Sequence, residues 1–236
     1  MIVSVLVIWQ FLLLTVLSIA GLQDRIARAM AGMAWGLSIL WIGGFGLLSI
    51  FGRDMVCGFI HRIPLPSGVK FFGLATILAL VEEAIATLMT NCAPLFGVEI
   101  GEAYITASAN YLDVIIFHSV VVFLAQFATW AWLLSRYEFR PFTVFWLFGI
   151  TGFLNETLFA GPQPLALAQW ILIYGLMVYL PASCYPNKAG RRRVRWWHYP
   201  VAVILPILAS LPVVALLLGV IAPDHPSVHF PPMQTK

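Results

Sequence analysis

Charge is what this chain has least of. Only 10% of its 236 residues are Asp, Glu, Lys or Arg, where water-soluble domains carry about 25%. A surface this poor in charge cannot face water over its whole area, which excludes an ordinary soluble globule. Cysteine is scarce as well: Cys57, Cys92 and Cys184 are the three, and no Cys-x-x-Cys pair occurs. Their odd number and scatter argue against a disulfide framework and against a thiolate metal site, and no disulfide is expected. Strict alternation of apolar and polar residues is missing, and with it the signature of an outer-membrane β-barrel. Consecutive basic charge is confined to one stretch, Arg191 to Arg195, followed by Trp196-Trp197-His198-Tyr199. Cations beside aromatics at a helix start read as an anchor for anionic lipid headgroups, and no nucleic-acid partner is expected.

What the chain has in quantity is hydrocarbon. Hydrophobic residues make up 61% of it, and the mean hydropathy is +0.93. Apolar runs of about twenty residues, enough to cross the hydrocarbon core as helix, recur from end to end. The expectation is a single all-α domain over residues 1–236, a polytopic membrane helix bundle embedded in the lipid bilayer. About seven transmembrane helices are predicted, near 2–20, 33–51, 69–90, 112–135, 142–160, 165–184 and 201–222. The first run has no basic leader and is long for a signal peptide, so it is read as a retained span. Pro206 and Pro212 predict a kink in the last.

With seven spans, ten of the thirteen Lys and Arg residues share one face: Arg53, Arg62, Lys70, Arg136, Arg140, Lys188 and the four of the 191–195 run. Arg25, Arg28 and Lys236 fall on the other. The asymmetry predicts a cytoplasmic N-terminus, in the plasma (inner) membrane of a prokaryote.

Two adjacent carboxylates, Glu82 and Glu83, interrupt the third apolar run. On insertion scales each acid deep in a spanning helix costs roughly 2.5–3.5 kcal/mol, so a polar site with partners at the same depth is the default expectation. At 1.5 Å per residue the pair lies about 12 Å beneath the outer surface, with His118 of the fourth span about 9 Å deep and Asn155 and Glu156 of the fifth about 6–8 Å. Helical phase agrees. Thr76, Glu83, Thr87 and Thr90 form one stripe, and Glu82 shares a face with Ala75, Ala79 and Ala86, small enough for close packing. His118, Ser119, Val122, Gln126 and Thr129 make a seam on the fourth span, and Gly149, Gly152, Asn155 and Glu156 one on the fifth.

Two carboxylates together in low dielectric cannot both ionise cheaply, so one is expected to hold a proton and serve as an acid. Carboxylates with an imidazole also suit a divalent metal such as zinc, with Glu83, His118 and Glu156 as ligands and a bound water activated. The catalytic candidates are Glu82, Glu83, His118, Asn155 and Glu156. They would act as an intramembrane hydrolase on a lipid or embedded peptide, as a proton- or ion-coupled transporter, or as inter-helix glue in a scaffold or complex subunit.

A Glu-Glu pair followed about 35 residues later by a His resembles the glutamate-type intramembrane proteases of the prenyl-protein-processing group. That family pattern has an arginine where this chain has Thr87, a Phe where it has Val114, and a His where Thr151 precedes Asn155. The resemblance implies that such ingredients support water activation inside a membrane. His225 and His229, set among prolines, are read as plain tail residues. The 104–111 stretch could be a lid over the site or a simple connection.

Overall fold

The apolar runs become helices because a backbone in hydrocarbon must satisfy its own N–H and C=O groups. The computed structural model describes residues 2–186 and 190–225 and is wholly helical apart from its connections. Lys188, His229 and Lys236 lie outside that range. Six helices are long and apolar enough to cross a membrane, as expected of a membrane protein: α1 (Val3–Ala20), α2 (Arg25–Phe51), α4 (Ser67–Asn91), α6 (Ser119–Arg136), α8 (Pro164–Ser183) and α9 (His198–Ile221). Between them stand α3 (Arg53–Arg62), α5 (Tyr111–Phe117) and α7 (Pro141–Ala160). Helix α7, which carries Asn155 and Glu156 in its last turns, runs antiparallel along α8 as a hairpin.

Several boundaries differ from those the sequence predicts. The second span begins at Arg25 rather than residue 33, because Asp24 caps it by accepting from the Ile26 N–H at 2.9 Å. The same helix widens to π-helical turns over Ser38–Phe45. There Trp41 is fully buried, stacks on Phe45 and donates its indole N–H to the Ile173 carbonyl of α8. Residues 52–68, read as a loop, contain α3. Arg53, Asp54 and Arg62 mask an amphipathic turn pattern in which Cys57 is buried while Met55 and Phe59 are exposed. The fourth span is broken: α5 stops at Phe117, His118 leaves helical geometry at φ −131° and ψ −97°, and α6 starts at Ser119. Pro206 and Pro212 are accommodated inside α9.

The expectation of no disulfide is wrong, since Cys57 is bonded to Cys184. Helix α3 folds back beneath the end of α8 and brings the two Cα atoms within 4.8 Å, with His61 Nε2 hydrogen-bonded at 2.9 Å to the Cys184 carbonyl. Purified, unreduced protein denatured with a thiol-reactive polymer should therefore gain one adduct, at Cys92, and three after reduction. Three adducts without reductant would contradict the bond.

The basic run is partly structural. Arg191 turns inward, donating to the Leu134 and Pro186 carbonyls and lying over the Tyr185 ring, so it ties down the end of α6. Arg192, Arg193 and Arg195 remain exposed.

The interior divides by depth. Phe123, Phe127, Trp130, Phe139 and Phe148 form an aromatic block between α6 and α7. Helices α7 and α8 meet at glycines. A Cβ on Gly149 would stand 2.7 Å from the Ile171 carbonyl oxygen, one on Gly152 2.0 Å from the Tyr174 ring, and one on Gly175 2.6 Å from Phe145. Close approach of this kind holds membrane helices together by van der Waals packing where no hydrophobic drive exists. The outer flanks of α1 and α9, with exposed Phe11, Val16, Ile19, Ile204, Leu208 and Leu211, are hydrocarbon facing lipid.

Candidate functional site

Glu82 and Glu83 are both buried toward the C-terminal third of α4, with Ala75, Ala79 and Ala86 buried beside them, as their helical phase requires. The 91–111 connection does more than cover them. After a surface segment in which Glu102 pairs with Arg25 at 2.6 Å, it sinks into the bundle mouth at Ala103–Ala107 and rises again. The Ile105 N–H points to Thr90 Oγ1 at 3.5 Å, the Thr106 hydroxyl donates to Glu83 Oε2 at 3.2 Å, and the Asn91 amide reaches the Ala109 carbonyl at 2.8 Å. Irregular backbone at such depth survives only where protein or a cavity shields it from lipid. The lid and plain-connection readings of this stretch both give way to a plug whose Thr106 helps hold the acid.

Below the plug lies a cavity of about 290 Å³. Glu82, Glu83, His118, Asn155 and Glu156 all line it, so every catalytic candidate read from depth and phase reaches one space. The break at His118 falls at its wall, where the end of α5 and the start of α6 part around it. Ser119, Thr106, Trp170 and Tyr174 join them, and Phe117, Phe123, Val214 and Leu218 supply apolar wall.

Hydrogen bonding inside the cavity is uneven. Tyr174 donates its hydroxyl to Glu156 Oε1 across the α7–α8 contact. Among the described residues Glu82 takes no hydrogen bond and forms no ion pair, and none of those lining the space is Lys or Arg. Asn155 is 6% exposed, yet among the described residues neither its amide nitrogen nor its oxygen has a partner; the Trp170 indole N–H is likewise unsatisfied, while the Ser119 hydroxyl stands beside Glu83. A buried polar group left unpaired costs about 1–3 kcal/mol, so unpaired groups from two helices around one cavity mark a place prepared for something polar.

Among the described residues, no three His, Cys, Asp or Glu side chains stand together as metal ligands. The expected Glu83, His118 and Glu156 do not form such a group as arranged; Glu83 Oε2 accepts from Thr106 and Glu156 Oε1 from Tyr174. Gln126 and Thr129, expected to extend the polar seam, do not extend the cavity. Gln126 pairs with Ser210 of α9 at 3.3 Å, and Thr129 bonds its own helix at the Ala125 carbonyl. Likewise Thr76 is held by the Phe72 carbonyl.

Sequence reading missed Thr106, Trp170 and Tyr174. Thr106 carried no signal, since nothing local says that a polar loop descends into a bundle. Tyr174 did carry one: a phenol about ten residues, or roughly 15 Å, along a spanning helix needs a partner for its hydroxyl. At the positions where the chain departs from the prenyl-protein protease pattern, Val114 is fully buried and Thr151 is spent on the Leu147 and Val203 carbonyls. Thr87 is buried with its hydroxyl unpartnered. No family model, no curated protein and no solved structure matches this chain.

Proposed function

We propose that this protein is an intramembrane hydrolase that uses carboxylate acid–base chemistry on an ester or amide of a membrane-soluble substrate. The observation that carries the reading is the buried, unpartnered Asn155 amide in a cavity that also holds three carboxylates. Hydrolysis needs a base for water, a donor for the developing oxyanion and an acid for the leaving group. Glu83, steadied by Thr106, takes a proton from water as its oxygen adds to the carbonyl carbon. The Asn155 N–H donates to the carbonyl oxygen as negative charge builds on it. Glu156, with Tyr174 behind it, returns a proton to the leaving oxygen or nitrogen as the scissile bond breaks. One water is consumed, and the acid and alcohol or amine depart.

Transport ranks lower on a structural ground. The aromatic block of Phe127, Trp130 and Phe148 is fully buried on the inner side of Phe123, and the polar track stops there. Scaffolding by inter-helix glue ranks lower because Glu82 and Asn155 bond to none of the described side chains.

In this reading α7 is a seventh span and the N-terminus is cytoplasmic, which puts the cavity in the outer leaflet and the exposed Arg192, Arg193 and Arg195 against anionic headgroups. The Cys57–Cys184 bond lies on the basic face and counts against that orientation, since disulfides persist in oxidising compartments. Ten cations spread over four segments weigh more than one bond.

Purified protein in nanodiscs should cleave members of a panel of fluorogenic acyl esters and peptide amides. Glu83→Gln should lower turnover by about 10²–10⁴-fold, the usual contribution of a positioned acid or base. No cleavage by the unmodified protein, or equal cleavage by Glu83→Gln, overturns the hydrolase.

A further inference from the structure

We propose that the cavity selects substrates by an ammonium headgroup, so that its ligands are amphiphiles whose polar end is a methylated or primary amine cation. The assignment rests on the reading of this cavity as the substrate site, and it concerns recognition rather than bond cleavage.

Charge is the first argument. Three carboxylates from two helices line a space with no Lys or Arg among its described lining residues, and neither of the ion pairs formed by described residues reaches it. Carboxylates withdrawn from water are stabilised by a cation brought to them, and among the described lining residues His118 is the one basic side chain. An anionic or zwitterionic phosphate group would meet the same acids as repulsion.

The unsatisfied Asn155 is the second, independent argument. It is 6% exposed, lines the cavity and has both amide atoms unpartnered. Its oxygen can accept from an N–H of a primary ammonium or lie against the polarised methyl groups of a quaternary one. Its N–H stays available to the bond being cleaved.

Aromatic faces are the third. Trp170 and Tyr174 pack at a tilt with 6.0 Å between ring centroids, Phe123 meets the Tyr174 ring edge-on at 5.5 Å, and all three line the cavity together with Phe117. Rings around a small acidic space are the chemistry that holds methylated ammonium ions. Size agrees. At about 290 Å³ the cavity lies at the small end of ligand sites, which run from about 300 to 1,000 Å³, so it holds a headgroup and not a whole lipid. Val122, Val214 and Leu218 supply an apolar wall from α6 and α9, along which a hydrocarbon chain would lie.

The test is equilibrium binding to the protein in phosphatidylglycerol nanodiscs, with radiolabelled tetramethylammonium and octyltrimethylammonium as probes and octanol and octanoate as competitors. Saturable octyltrimethylammonium binding that octanol and octanoate do not displace is the expected result. Binding of tetramethylammonium as well assigns recognition to the free cation; binding of the octyl compound alone assigns it to a lipid-like headgroup. The isosteric variant Glu82→Gln should weaken binding roughly tenfold or more, as loss of one partner of a desolvated charge pair does, and Ala86→Phe, which fills the cavity, should abolish it. Thermal melting of each variant confirms that it is folded. Binding of neither probe overturns the proposal, as does displacement by octanol or octanoate, or unchanged affinity in both folded variants. Failure of this assay alongside cleavage of neutral esters would leave the hydrolase standing; selective binding without any cleavage would leave the ammonium site and remove the hydrolase.

Discussion

Glu82→Leu should give a protein that melts higher than the parent and handles its substrate less well. Glu82 is 5% exposed and receives no hydrogen bond from the described residues, so the fold recovers little for burying it. An acid at the middle of a spanning helix is disfavoured by roughly 2.5–3.5 kcal/mol on insertion scales. The cavity relieves part of that cost, so the gain from leucine is a fraction of it. In a chain of this size each kcal/mol moves the melting temperature by about 2–4 °C. A rise of several degrees with kcat/KM down roughly tenfold or more, through lost recognition of the substrate's cation, is the pattern of a site kept at the expense of stability. Inter-helix glue predicts the reverse sign: removing Glu82 would lower the melting temperature, because a bonded partner would be orphaned. Thermal melting and turnover on one preparation separate the two.

The second large effect belongs to the α7–α8 contact. Gly149→Ala places a methyl 2.7 Å from the Ile171 carbonyl oxygen and 3.0 Å from the Ile171 Cα, both backbone atoms that no rotamer change can move. Overpacking of this kind costs typically 1–3 kcal/mol, so melting should fall by about 2–12 °C. Asn155 and Glu156 lie on the same helix within two turns, so the displaced α7 also carries them away from Tyr174 and activity falls with stability. Gly152→Ala meets the Tyr174 ring itself at 2.0 Å, which loosens the phenol that holds Glu156. Gly73→Ala in α4 is the control. A methyl there has nothing within 4 Å, and alanine is the better helix former by about 1 kcal/mol, so the protein should melt unchanged or higher. Equal losses at Gly149 and Gly73 would show that the close approach is not what holds α7 to α8.

The sequence made the spans legible because one rule governs them: twenty apolar residues in lipid have no alternative to helix. The site was legible for a related reason. Glu82, Glu83, His118, Asn155 and Glu156 are costly where they stand, and shared depth with helical phase sufficed to bring them to one cavity. What stayed hidden depends on tertiary contact. The break at His118 involves neither Pro nor Gly; it sits in a β-branched stretch, Val114 to Val122, of modest helix propensity, and its place follows from packing around the cavity. Helix α3 is too polar for a hydropathy reading and too short for periodicity to stand out. The Cys57–Cys184 bond needed α3 to exist before the two sulfurs could be placed together. Thr106 contributes from a loop whose descent no local pattern announces. Residue types suited to zinc were legible, but their mutual spacing was not, and among the described residues no three of them stand together.

Whether the acids of α4 and α7 face one shared space is tested most directly by labelling with an apolar carbodiimide, which reacts with protonated carboxyls in membranes. Mass spectrometry of the folded protein should find adducts on Glu82 or Glu83 and on Glu156. Ala86→Phe, which fills the cavity from α4, should abolish all of them together. Loss of the α4 adducts with undiminished labelling of Glu156, or no adduct on either helix in the unmodified protein, would contradict a common site.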